Sequence, residues 1–179
     1  MDPQTLLAQI EKKNLPPVHQ WNPTLCGDID IRIARNGSWY HEGSPIRRQR
    51  MVDLFATILR RDADGEFYLV TPVEKLRIEV EDAPFVAIDF DTAGRGAGQV
   101  LVFKTNVGDQ VAADARHPLR VSEHPDTHEP SPYIMVRDGL EALINRPTFY
   151  RLVELIQVHE GAQGVWSSGT FFALEHRRP

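Results

Sequence analysis

Between Trp39 and Arg50 the chain crowds Tyr40, His41, Glu42, Ser44, Arg47, Arg48 and Arg50 into one short stretch. An imidazole next to a carboxylate is the pairing a general base uses. On a strand, however, His41 and Glu42 point to opposite faces and do not pair with each other. His41-Glu42-Gly43-Ser44-Pro45 also lacks the second histidine of H-E-x-x-H, so it is no zinc-protease motif. Ser44-Pro45 reads as a helix start, with Ser44 at the N-cap and Pro45 at the first helical position. That puts Arg47 at the third helical position, where a capping box has Glu. A cation at the positive end of a helix costs from a few tenths of a kcal/mol to about 1 kcal/mol unless an anion neutralises it. The anion is either a neighbouring carboxylate, Glu42 or Asp53, or a phosphate or carboxylate on a ligand.

Other constellations are weaker. His117, His124 and His128, with Glu123 and Asp126, are residue types that hold zinc. Pro118, Pro125 and Pro130 interrupt them and no regular spacing aligns the rings, so the stretch reads as a solvated loop. Ser167-Ser168-Gly169 lacks the flanking glycines of a nucleophile elbow. The glycine run from Asp91 to Gly98 precedes a strand, not a helix, so it offers no helix N-terminus to a pyrophosphate and reads as a hairpin loop. No cofactor is expected. The single cysteine, Cys26, excludes an intramolecular disulfide and a cysteine metal cluster. The second half has its own polar points in Asn106, Asp109, Arg116, Arg120, Arg137, Asp138 and Arg146, and Arg146 precedes a second helix start as Arg47 attends the first. Trp39, Tyr68 and Tyr133 offer ring faces to a base or to the core.

The elements that must position these residues follow from hydrophobic period. Helices are expected over Pro3–Lys13, from Ser44 to about Arg61, and from Pro147, each with an apolar stripe at three- and four-residue spacing. Ile29, Ile31 and Ile33 alternate with Asp28, Asp30 and Arg32, which marks a strand over Asp28–Ala34 with one face buried. Asn36-Gly37 is a hairpin turn into Ser38–His41. Further strands are expected at Phe67–Val70, Leu76–Val80, Phe85–Phe90, Val100–Thr105, Gln110–Ala112, Leu119–Val121, Tyr133–Val136, Leu140–Ile144 and Thr170–Leu174. One pattern recurs: Arg35–Arg47 with Glu66–Phe85, and Thr105–Arg120 with Ser131–Phe149. The fold class is therefore α+β. It comprises two related antiparallel β-rich lobes with helices, residues 1–83 and 84–179, with the seam at Ala83-Pro84. The second, a run of antiparallel strands closed by a helix, resembles a pleckstrin-homology-like domain. A cleft between duplicated units is where a ligand sits.

Bulk properties narrow the classes. The chain has 179 residues, 41% of them hydrophobic, enough for a core. A net charge of −5 and a pI of about 5.8 leave no basic face for general nucleic-acid binding. No apolar run reaches membrane-spanning length, and the start lacks a secretory signal, so a cytoplasmic protein is expected.

The string WYHEGSPIRRQRMVDLFATILRRDADGEFYLVTPVEK resembles the signature of the domain-of-unknown-function family 1285. FKTNVGDQV, RHPLRV, YIMVRDGLEALINRPTFYRLVEL and GVWSSGTFF are similar to its later blocks, so the resemblance runs from about Ile29 to Leu174. It implies duplicated motifs, a pleckstrin-homology-like second half, and a nucleotide-type ligand at the interface of the halves with a role in signalling. The matching positions here are Trp39, His41, Glu42, Ser44 and Arg47, and then Asn106, Asp109, His117, Arg120, Arg137 and Arg146. The expectation is a binding module for a small anionic ligand. The rivals are a protein-interaction adaptor with a signalling partner and an enzyme using His41 or His117 as acid and base.

Overall fold

The isoleucine alternation forms β1 (Leu25–Ile33), and β2 (Trp39–His41) returns antiparallel to it with Trp39 opposite Ile33. Gly37 sits in their connection at φ +88°, a conformation open to glycine without strain. Glu42 and Gly43, at φ +49° and +76°, make a mirror-image hairpin turn into β3 (Ser44–Pro45). Here the expected helix start is corrected. Ser44 and Pro45 pair with His41 and Tyr40, and α2 spans Gln49–Thr57 with Arg48 at its N-cap. The tight turn folds the chain straight back along β2, so the ladder claims the Ser-Pro pair before a helix begins. Arg47 precedes the helix, and Met51 holds the third helical position.

The first half continues through β4 (Leu59–Arg61), β5 (Phe67–Val70) and β6 (Glu74–Val80). Its six strands lie in the order β3-β2-β1-β6-β5-β4. The second half supplies β7 (Phe85–Ala93), β8 (Val100–Thr105), β9 (Gln110–Ala112), β10 (Leu119–Glu123), β11 (Pro130–Arg137) and β12 (Leu140–Ile144), ordered β10-β11-β12-β7-β8-β9. If each half's strands are numbered one to six, both sheets read 4-5-6-1-2-3. In both, the first and sixth strands pair in parallel, β1 with β6 and β7 with β12. The duplication is thus present in topology, and the lobes are not wholly antiparallel. The hairpins β5–β6 and β11–β12 are equivalent, as the repeated pattern implies. Pro45-Ile46-Arg47 and Pro118-Leu119-Arg120 are not, because the former begins in a third strand and the latter leads into a fourth.

After β12 come α3 (Arg146–Val153) and a small sheet of β13 (Gln157–His159), β14 (Ala162–Ser167) and β15 (Thr170–Ala173). At the other end, α1 (Pro3–Ala8), capped by Asp2, is shorter than expected. Its stripe still packs, with Leu6, Leu7 and Ile10 against Ala93, Val100 and Val102. This computed structural model describes residues 1–175, and the last four positions of the second lobe lie outside them.

One continuous core joins the halves. Ile31, Ile33 and Trp39 of the first sheet, Val52 and Ala56 of α2, Phe85, Phe103 and Ile134 of the second sheet, and Leu152 of α3 belong to the same buried cluster. Burying each large apolar side chain contributes about 1.5–3 kcal/mol, so the two sheets stabilise each other through this layer. Any site at the junction therefore lies at its rim.

Candidate functional site

The expected site residues lie in several separate surroundings. Trp39 is 2% exposed, stacked on Phe55 with ring centroids 6.2 Å apart. Its Nε1 is buried without an acceptor among the described residues. His41, Glu42, Ser44 and Arg47 lie exposed on the β2–β3 hairpin and just after it. Asn106 ties the halves together: its Oδ1 accepts from the Val86 N–H at 3.0 Å, and its Nδ2 donates to the Gly37 carbonyl at 3.4 Å. His117 sits 3.0 Å from Asp114. Arg120 makes a two-pronged pair with Glu141, both contacts 2.7 Å, and lies over the Tyr133 ring. Arg146 reaches Glu129 at 3.3 Å on the surface.

Two of these residues do come together. Arg137 Nη1 donates to Asp109 at 2.7 Å, and Nη2 donates to the Ala56 carbonyl at 2.9 Å. That carbonyl belongs to the last turn of α2, where no intrahelical partner exists. Lys13 approaches the same carboxylate at 3.5 Å. Asp109 and Arg137 keep only 9% and 15% of their side chains exposed. This network fastens α2 and the N-terminal arm to the second sheet. A neighbouring cavity, lined by His19, Arg60, Arg137 and Asp138, measures about 50 Å³, room for about one or two waters.

The roomier opening lies elsewhere on the junction. A groove of about 330 Å³ is lined by Arg35, Glu81 and Asp82 from the first half and by residues 122–125, Ser131 and Tyr133 from the second. The turn after β1 delivers Arg35, the bend just after β6 delivers Glu81 and Asp82, and β10, the connection that follows it and β11 deliver the rest. Arg35 Nη2 donates to Ser131 Oγ at 3.0 Å, and the Arg35 N–H donates to Glu81 at 2.9 Å. Tyr133 Oη donates to Asp82 Oδ1 at 2.7 Å. Burial, together with this bond to Asp82, raises the Tyr133 hydroxyl above its ordinary value. The second Asp82 oxygen lies 3.3 Å from Arg35 Nε, an ionic contact without hydrogen-bond alignment. Glu81 is further paired with Arg32, and Glu123 lies 3.5 Å from His128. The lining thus holds three carboxylates against one guanidinium and the His124 imidazole.

Of this set the sequence points to Tyr133 for its ring and to His124 and Glu123 for their place in the histidine-rich stretch. Arg35, Glu81 and Asp82 carried one usable signal, charged residues flanking a predicted turn and a predicted seam. The glycines at Ser168-Gly169, Asp138-Gly139 and Glu160-Gly161 are accounted for as hairpin turns with both residues at positive φ. Among the described residues, no three His, Cys, Asp or Glu side chains converge as a metal requires. No described helix is long and apolar enough to cross a membrane.

Comparison with known proteins matches both halves to one family. Residues 16–83 match "Domain of unknown function (DUF1285), N-terminal domain", and residues 84–174 match "Protein of unknown function (DUF1285), C-terminal domain". A crystal structure of a DUF1285 family protein from Silicibacter pomeroyi DSS-3 is similar at 52% identity and a TM-score of 0.87, covering 97% of this chain and 94% of that one. Another, from Shewanella baltica OS155, is similar at 29% identity and a TM-score of 0.55, over 71% of this chain and 92% of that one. No curated protein matches.

Proposed function

We propose that this chain, which belongs to the DUF1285 family, is a small-ligand-binding module whose site is the junction groove. The observation that carries the reading is the groove itself. It lies within the usual size range of ligand pockets, and both halves line it. Arg35 is held by Ser131 and by Asp82, while its Nη1 has no partner among the described residues. A guanidinium fixed in this way is preorganised to take an anionic group. The surrounding carboxylates oppose a polyanion and favour a ligand that also carries hydrogen-bond donors or a cationic group. A zwitterion or a nucleoside-like molecule fits better than a nucleoside triphosphate.

A signalling role follows if occupancy of a groove built from both halves alters how they sit together. The run of strands leading to α3 in the second half supports the pleckstrin-homology-like reading, although the parallel β7–β12 pair and the β13–β15 sheet that follows α3 depart from it. The test is a thermal-shift screen over amino acids, nucleosides, mononucleotides and phosphorylated metabolites. A ligand at a hundred times its Kd contributes about 2.7 kcal/mol. A true ligand therefore raises the melting temperature by roughly 5–10 °C in a chain of this size. A panel without any response, or a response unchanged in Arg35→Ala, sinks the reading.

A further inference from the structure

We propose that the outward face of α2 docks on an anionic phospholipid surface. The helix is anchored by one side only. Val52, Phe55 and Ala56 face the core, while Arg50 and Leu54, four residues apart, occupy the opposite face. Leu54 is 61% exposed and Met51 39%, so two large apolar side chains stand on the solvent side of this nine-residue helix. Arg47, Arg48 and Arg50 crowd its start, all exposed and without an ion pair among the described residues. Many arginines elsewhere are paired, among them Arg32 with Glu81, Arg77 with Asp28, Arg120 with Glu141 and Arg151 with Asp89. The other arginines without an ion pair among the described residues, Arg61, Arg95 and Arg116, stand singly along the chain. Asp53, the carboxylate of α2, accepts a hydrogen bond from Gln49 instead.

A short helix lying flat on the protein, with apolar side chains outward and cations around them, has the form of an interfacial helix. The guanidinium fork suits lipid phosphates. The choice of a lipid over an acidic protein rests on how loosely these arginines are held. Arg120 and Arg137 are locked by two or more contacts each, as recognition of a fixed carboxylate requires. No described hydrogen bond fixes the side chains of Arg47, Arg48 or Arg50, which suits a fluid layer of charges. The net charge of −5 opposes approach, but salt screens that repulsion within about 10 Å.

Flotation with vesicles of phosphatidylcholine containing phosphatidylglycerol, against pure phosphatidylcholine, tests this. The chain should float with the anionic vesicles only, and raised salt should release it. Replacing all three arginines by Ser should weaken partitioning at least about tenfold, and Leu54→Ser by roughly threefold. Arg116→Ser, a substitution of an exposed arginine elsewhere, should change nothing. Unchanged melting curves verify that each variant is folded, and inorganic phosphate should not compete. Absence of flotation, equal flotation with neutral vesicles, or full retention by the triple variant overturns the proposal. So does capture by soluble polyglutamate with no vesicle binding, which would make the partner an acidic protein.

Discussion

Two arginine–carboxylate pairs flank the junction, one within each half, and they differ in their surroundings more than in their chemistry. Each is tied across the junction by a further bond, Arg137 to the Ala56 carbonyl and Arg35 to Ser131. Arg137 and Asp109 are almost wholly buried, and the spare guanidinium nitrogen caps α2. Arg35 and Asp82 keep 42% and 21% of their side chains exposed and border open space. A buried pair is costly to break, because removing one partner strands the other in a medium that solvates it poorly. An exposed pair contributes little to stability but remains accessible to a ligand. The first pair closes the junction and the second leaves a site on its rim.

The sharpest way to break this comparison is to cut the buried pair. Arg137→Ala or Asp109→Ala should cost about 3 kcal/mol in urea unfolding. A cost below about 1 kcal/mol would put both pairs in the same class. Gly37→Ala should come next, at about 1–3 kcal/mol, since it forces a side chain into positive φ. Its Cβ would also lie 2.7 Å from Asn106 Nδ2 and 2.9 Å from Val86 Cγ2, so the change probes the junction directly. An unaltered midpoint would mean the Asn106 tether has slack.

Alkaline titration sharpens the contrast further. Tyr133 Oη donates to Asp82 at the groove, and Tyr68 Oη donates to Asp64 at 2.6 Å on the turn between β4 and β5. The Asp64 bond pushes Tyr68 up to about 12, and burial followed by the Asp82 bond raises Tyr133. Raised values mean that this stability is complete below the unfolded tyrosine value of about 10 and is lost as pH climbs through the folded one. Ultraviolet titration should show late-ionising tyrosines, with Tyr133→Phe removing one of them. Normal ionisation in both would remove the groove's hydrogen bond from the account. The smallest effect belongs to Arg35→Ala, whose stability should stay within about 1 kcal/mol of the parent.

Much of the fold was legible. Period-two alternation located β1, and the Phe67–Val70, Val100–Thr105 and Leu140–Ile144 strands match in full. The repeat located the equivalent hairpins. The parallel pairing of β1 with β6 was not legible, since strand partners distant in sequence leave no local mark. The helix start was misread because Ser-Pro serves a cap or a strand end equally well, and the Glu42-Gly43 turn decided between them. Local reading points to both Asp109 and Arg137 but not to their pairing, and it does not single out Arg35. Asp109 and Arg137 are 28 positions apart in the chain and meet only in three dimensions. Arg35 and Asp82 flank features recognised as a turn and a seam, yet nothing local says that those features adjoin.

The most direct measurement is one thermal-shift matrix: the parent chain, Arg137→Ala and Arg35→Ala, each with and without the best ligand of the screen. The account predicts that Arg137→Ala melts lower yet keeps its ligand-induced rise. Arg35→Ala should melt like the parent and lose that rise. The reverse pattern, or a parent chain that no ligand stabilises, would contradict it.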